Sequence, residues 1–305
     1  MGLPCGGCFA AVQLLGKPRV LRVDTLKGRP RASLPKEGFW DGRSAGDTRL
    51  RGDAFFVSKY EIQAELGSGC SATVNAATHR ETGDAVAVRA LRNRDLTARQ
   101  AQAIHEEVHI FLQLGHPNIC KLVEIFCHPA EDSVYMVMEL CSGGDLFDRL
   151  KSAPSGHFQE RDAAEVIRQI TDAVAYCHSN WICHRDLKLE NFVYQSPAPE
   201  APLKLIDFGL STLAAPTEHV EGGSGTLFYC SPEVVRGVCS HKSDVWAVGV
   251  ITYMLLSGAP PFAGPDRHST ARKIRAGRFS FPDHLWDGVS TQAKAFVSSL
   301  LRFEP

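Results

Sequence analysis

The sequence predicts an α+β protein of two lobes, a small β-rich lobe followed by a larger helical one, with a cleft between them. Two observations carry this. Between Tyr60 and Glu139, short apolar, β-branched runs recur around turn residues, while after Gly143-Gly144 the apolar spacing lengthens to that of amphipathic helices. The third observation removes a rival: Val245 to Pro265 is 21 residues without a charge, but Pro260 and Pro261 break it. The helical part after Asp244 then reaches about 21 Å against a hydrocarbon core of about 30 Å, so it reads as a buried core helix.

Residues 1–58 hold nine Gly, four Pro and ten Lys or Arg against five Asp or Glu, with no sustained period, and are expected to be a flexible basic leader of charge +5. Strands are expected at Tyr60–Leu66, Thr73–Thr78 and Ala85–Leu91, with Glu81-Thr82-Gly83-Asp84 as a hairpin turn. A helix over Ala98–Leu114 and strands at Leu122–Cys127 and Val134–Glu139 complete the first lobe. Helices follow at Asp145–Lys151, Glu160–Ser179, Ser243–Ser257 and Ser290–Leu301. No internal repeat is visible.

The 33 basic and 34 acidic residues of the 305 nearly cancel, which excludes nucleic acid as the partner implied by total charge. The ten cysteines lack a framework spacing and no signal peptide precedes them, so they read as reduced thiols of a cytoplasmic protein. Cys5-x-x-Cys8 has no second pair to complete a zinc site, and Cys177-His178 and Cys183-His184 are disfavoured as metal ligands.

The chemistry is concentrated in three strings. Leu66-Gly67-Ser68-Gly69-Cys70-Ser71-Ala72-Thr73-Val74 lets backbone amides approach a polyphosphate without Cβ obstruction, and the strand expected after it argues against a dinucleotide fold. His184-Arg185-Asp186-Leu187-Lys188-Leu189-Glu190-Asn191 and, sixteen residues beyond Asn191, Asp207-Phe208-Gly209 supply two carboxylates, an ammonium and an amide. That is a set able to position a hydroxyl, balance phosphate charge and hold Mg²⁺.

On these strings the chain resembles the eukaryotic protein kinases over about residues 59–305, with an N-lobe near 59–139, a hinge near 139–144 and a C-lobe from 145. The resemblance implies transfer of the γ-phosphoryl group of ATP to Ser or Thr of protein substrates, some beside basic residues. Asp186 would orient the hydroxyl, Lys188 would balance charge on the phosphoryl group, and Asn191 and Asp207 would ligate Mg²⁺. Lys188 and Gly225-Thr226 before Ser231-Pro232-Glu233 are similar to the Ser/Thr branch. By the same resemblance ATP would meet Leu66, Gly67, Gly69 and Val74, with Ala87 and Val193 around the adenine ring and Met138 as gatekeeper. Glu139 to Cys141 would form the hinge, and Glu107 would be the helix glutamate beside the solvated Glu106. Asp145 would touch the ribose, or else cap a helix. The strings at 138–149 and 201–211 look most like the calcium/calmodulin-dependent group, especially the calcium-dependent kinases of plants, algae and protists. No Asp-x-Asp-x-Asp-Gly loop occurs, so calcium sensing would fall to another chain.

Two positions depart from the family pattern. Arg89 stands where the third-strand lysine is expected, which keeps the charge and changes the shape. A weakened enzyme and a pseudokinase scaffold therefore both remain open. Glu233 should pair with an arginine beyond Pro305, so the C-lobe is expected to be truncated. Arg185 could receive a phosphorylated segment, with Thr217, Ser224 and Thr226 as candidate acceptors and Glu218 and Glu221 as standing charge. At the N-terminus, Gly2 with Cys5 and Cys8 suits acylation and peripheral membrane contact together with the basic leader, although Gly6 replaces the expected Ser or Thr; a plain Gly/Cys-rich tail is the alternative.

Overall fold

A computed structural model describes residues 19–22, 56–68, 72–92, 98–128, 133–215, 218–221 and 225–303. The chain divides into two units, residues 1–102 with 121–140, and residues 103–120 with 141–305.

The first unit is one antiparallel sheet. Its strands are β1 (Arg19–Arg22), β2 (Tyr60–Ser68), β3 (Ala72–His79), β4 (Ala85–Arg92), β5 (Leu122–His128) and β6 (Ser133–Glu139), in the spatial order β1-β5-β6-β4-β3-β2. The register sorts the side chains onto two faces, because partners directly opposite share a face and successive residues alternate. One face gathers Phe56, Tyr60, Ala77, Val86, Val88, Phe126 and Val137 into an apolar cluster. Phe56 stacks on Tyr135 with ring centroids 4.5 Å apart. Beside them Lys59 Nζ and Tyr60 OH donate to the Glu124 carboxylate at 2.6 and 3.2 Å. This fastens the helical turn at 56–59 to the sheet, so ordered packing starts before Lys59. The β3–β4 hairpin turns as expected at Gly83, whose φ is +77°, with Thr82 donating to Asp84 at 2.6 Å. The leader contributes β1, which pairs with the outer edge of β5, Arg19 opposite Cys127 and Arg22 opposite Glu124. A strand of four residues without alternation gives no periodic signal of its own. Gly2, Cys5 and Cys8 lie outside the described residues.

Helix α1 (Ala98–Phe111) stops three residues short of its expected end, because Gln113 and Leu114 donate to Ile110 and Phe111 and tighten the last turn. The second unit continues with α2 (Leu146–Lys151) and α3 (Glu160–Ser179). On α3 residues 163, 166, 167, 170, 173, 174 and 177 are buried, the stripe its spacing predicts. Three short hairpin-like pairings follow: β7 (Ile182–Cys183) with β10 (Thr212–Leu213), β8 (Phe192–Tyr194) with β9 (Leu203–Leu205), and β11 (Val220–Glu221) with β12 (Val238–Cys239). Helix α4 (His241–Ser257) begins at a Ser240–Ser243 capping box and ends at Gly258 in the left-handed region. Every α4 residue from Trp246 to Ser257 is buried, and no helix among the described residues is long and apolar enough to cross a membrane. Helices α5 (Arg267–Ala276), α6 (Asp283–Trp286) and α7 (Thr291–Leu300) complete the unit.

The segment at 142–145 runs against β8. Ser142 and Gly143 donate to Gln195 and Tyr194, and Tyr194 donates back to Gly144. A Cβ on Gly143 would fall on the Ser196 carbonyl oxygen and lie 2.6 Å from Tyr194 Cβ. Gly143→Ala should therefore lower stability by about 1–3 kcal/mol through overpacking, read as a fall in the thermal midpoint.

Candidate active site

The strings that carry Asp186 and Asp207 fold onto a frame supplied by α4. Asp244, in its first turn, is 1% exposed, and its carboxylate accepts from the backbone amides of His184 at 2.8 Å and Arg185 at 2.9 Å. His178, on the last turn of α3, bonds the same carboxylate through Nε2 at 2.9 Å. Burial alone would raise the Asp244 carboxyl, but the His178 ring and the His184 amide hold it below the ordinary carboxylate value. Burial pushes the His184 imidazole below its ordinary value, so that ring stays neutral at pH 7. Arg185 sits at φ +70° and Asp207 at φ +54°, unfavourable for residues with a Cβ. Such strain persists where the surroundings overdetermine the backbone, as the two Asp244 bonds do at Arg185.

That frame presents Asp186, whose Oδ2 accepts from Lys188 Nζ at 2.6 Å and whose Oδ1 accepts from Thr226 N at 3.1 Å. Thr226 Oγ1 reaches the same oxygen at 3.4 Å. Gly225 makes this approach feasible: its φ is +114°, and a Cβ there would lie 2.9 Å from the Arg185 carbonyl oxygen. Asn191 Nδ2 donates to the Asp186 carbonyl at 2.8 Å, which fixes the amide and turns its own oxygen away from that bond. Asn191 O accepts from Ile206 N at 2.9 Å, so the β8–β9 pairing sets Asn191 opposite the residue before Asp207. Gly209 N donates to Asp207 Oδ1 at 3.1 Å. Between them Phe208 is fully buried, edge-on to Phe111 at 4.9 Å and to His184 at 5.0 Å.

An amide oxygen and a carboxylate are hard donors that fit Mg²⁺, which takes one or two protein ligands and completes its shell with water and phosphate. Among the described residues no three His, Cys, Asp or Glu side chains gather as a metal site.

Each unit holds its own share of the expected nucleotide residues. In the first, Val74 lies opposite Arg89 and Ala87 opposite Met138, which puts all four on the sheet face away from the aromatic cluster. Gly67 pairs with Val74, Leu66 is exposed, and Gly69 lies outside the described residues. Glu139 donates its amide to Lys121 O at 2.9 Å and accepts from Lys121 N at 2.7 Å through its carboxylate. In the second unit Glu107 is 3% exposed, unlike the exposed Glu106. Cys141 is half-buried. Asp145 forms a bridge to Val193 and caps α2 by accepting from Asp148 N at 2.8 Å. Glu233 is half-buried and accepts from Ser243 Oγ at 2.9 Å. Glu218 accepts from Ala215 N at 2.9 Å, while Thr217 and Ser224 are outside the described residues.

Sequence reasoning missed Asp244 and His178. The signal for Asp244 is a lone carboxylate at the head of 21 uncharged residues, a charge that must find partners to enter such a helix.

Residues 60–305 match a family model described as a protein kinase domain. Calcium/calmodulin-dependent protein kinase type IV of Homo sapiens is 41% identical over 249 residues, 81% of this chain and 51% of that protein. Calcium/calmodulin-dependent protein kinase type II of Caenorhabditis briggsae is 38% identical over 82% of this chain and 46% of its own length. Calcium-dependent protein kinase 2 of Oryza sativa subsp. japonica is 38% identical over 81% of this chain and 48% of its own. The chain thus spans about half the length of these relatives.

Proposed function

The chain belongs to the protein kinase family, and on that premise we propose that it transfers the γ-phosphoryl group of ATP to Ser or Thr hydroxyls of proteins. The observation that carries this reading is the Asp186 carboxylate, held at one end of the loop by Asp244 and gripped by Lys188 and Thr226. In that position Asp186 orients the attacking hydroxyl and accepts its proton, and Lys188 faces the charge that develops on the phosphoryl oxygens. Asn191 and Asp207 would hold Mg²⁺, which supplies charge neutralisation between the phosphates when bound. Leu66, Gly67, Gly69, Val74, Ala87, Met138, Cys141, Asp145 and Val193 are the residues we assign to ATP. The absence of a disulfide at Cys120, Cys141, Cys177, Cys183, Cys230 and Cys239 suits a cytoplasmic enzyme.

The test is transfer from Mg-ATP to a basic Ser/Thr peptide and to the chain itself, with Asp186→Asn as background. Signal above that background supports the reading; a cooperatively melting protein without it refutes it.

A second reading, a nucleotide-binding scaffold, rests on Arg89 at the centre of β4. A guanidinium is planar and forked where an ammonium is compact, so phosphate placement differs. Arg89→Lys is expected to raise the rate of transfer about 10²-fold or more, equivalent to about 2.7 kcal/mol of barrier. An unchanged or lower rate would show a site adapted to arginine.

A further inference from the structure

Three cysteines from separate stretches converge behind the catalytic loop. Cys183 ends β7 directly before His184, and Cys239 ends β12 directly before the Ser240 cap of α4. They are 0% and 2% exposed in one cluster with Val234, and Cys230 packs against it. The two side chains act on each other within this cluster: the neighbouring Cys183 holds Cys239 below the ordinary thiol value, and Cys239 together with burial pushes Cys183 up. Burial pushes Cys230 up to about 11, and its Sγ donates to Thr226 O at 3.5 Å. A cavity of about 20 Å³ opens among Asp186, Thr226, Cys230 and Cys239. That is room for one molecule of water size.

We propose that Cys239 and Cys183 form a dithiol site for hydrogen peroxide, in which Cys239 is oxidised through this cavity and Cys183 closes a disulfide. Cys239 first gives up its proton to solvent, and the thiolate attacks one peroxide oxygen: an S–O bond forms, the O–O bond breaks, and the departing hydroxide takes a proton back from solvent and leaves as water. Peroxide is reduced and the sulfur becomes a sulfenic acid. Cys183 sulfur then attacks the Cys239 sulfur. The S–S bond forms, the S–O bond breaks, and a second water leaves with the Cys183 proton. Cys230 is the poorer first target, because burial pushes its thiol up while Cys239 is held below the ordinary thiol value. The bond joins the strand that feeds His184-Arg185-Asp186 to the residue before the α4 cap, beside the carboxylate that holds the same loop.

The site does not depend on phosphotransfer, so it stands or falls apart from the function proposed above. The full reduced chain is exposed to hydrogen peroxide, remaining thiols are alkylated, and the tryptic peptides are analysed by mass spectrometry. Cys183 lies in residues 169–185 and Cys239 in residues 237–242, with Cys230 in a different peptide. The expected product is those two peptides joined, two hydrogens lighter, with fragmentation placing the link on Cys183 rather than Cys177, enriched at least tenfold over untreated protein and removed by dithiothreitol. In Cys183→Ser the sulfenic acid on Cys239 should persist and be trapped by dimedone; if that variant does not fold, the link in the unaltered chain decides. Recovery of Cys183 and Cys239 as alkylated thiols, or a link through Cys177 or Cys230, would overturn the proposal.

Discussion

Asp244→Ala is expected to destabilise the helical unit by about 3–5 kcal/mol, the range for removing one member of a buried, hydrogen-bonded charge cluster. The carboxylate is 1% exposed and receives three bonds, from His184 N, Arg185 N and His178 Nε2. Truncation leaves two backbone donors and an imidazole without an acceptor, each costing about 1–3 kcal/mol unless water reaches it. Arg185 at φ +70° also loses one of the bonds that holds it. The loss should thus appear twice, as a lower midpoint in denaturant and as a lower rate of phosphotransfer in whatever fraction stays folded. Asp244→Asn keeps the shape and one acceptor oxygen, so it should lose less. The pH dependence follows from the lowered carboxyl. Its contribution is fully present above the unfolded value near 4 and is lost as pH falls through the lower folded value. The wild-type chain should lose stability more steeply than Asp244→Asn as pH falls below about 4, measured as unfolding free energy against pH.

Legibility in the sequence followed the strength of local signals. Helix α3 begins and ends where its apolar stripe and flanking residues put it, and the β3–β4 hairpin turns at the expected Gly83. Helix α5 was not foreseen: in Arg267–Ala276 only Thr270 and Ile274 are buried, too few to make a period. Its end signals were present, Asp266 accepting from Ser269 N and Gly277 in the left-handed region, and they outlast the missing stripe. Strand β1 depends on the edge of β5, a tertiary partner that four residues cannot announce. The candidate site divides along the same line. Asp186, Lys188, Asn191 and Asp207 stand in two short strings on which the kinase resemblance rests, whereas Asp244 and His178 act on the loop across 60 and 66 positions, Asp244 to His184 and to His178. Asp145 shows a third case, in which one residue type suited two roles, and the structure supplies the helix cap.

Asp186→Asn is expected to lower phosphotransfer by about 10³-fold, within the range of about 10²–10⁴ for loss of a positioned general base, while barely moving the thermal midpoint. A factor of 10³ corresponds to about 4 kcal/mol of barrier. The two carboxylate oxygens have different tasks: Oδ2 meets the Lys188 ammonium at 2.6 Å, and Oδ1 meets the Thr226 amide and hydroxyl. An asparagine has one acceptor oxygen, so in either orientation its NH₂ confronts a donor, Lys188 or Thr226. The variant therefore removes the proposed proton acceptor and also loosens one of the two groups that aim it. Stability changes little because the Lys188–Asp186 pair, with side chains 22% and 11% exposed, lies close enough to water for a released donor to be solvated. The split between rate and stability distinguishes this residue from Asp244, which should lose both. If Asp186→Asn transferred phosphate at the wild-type rate, the signal in this protein would come from something other than the loop described here.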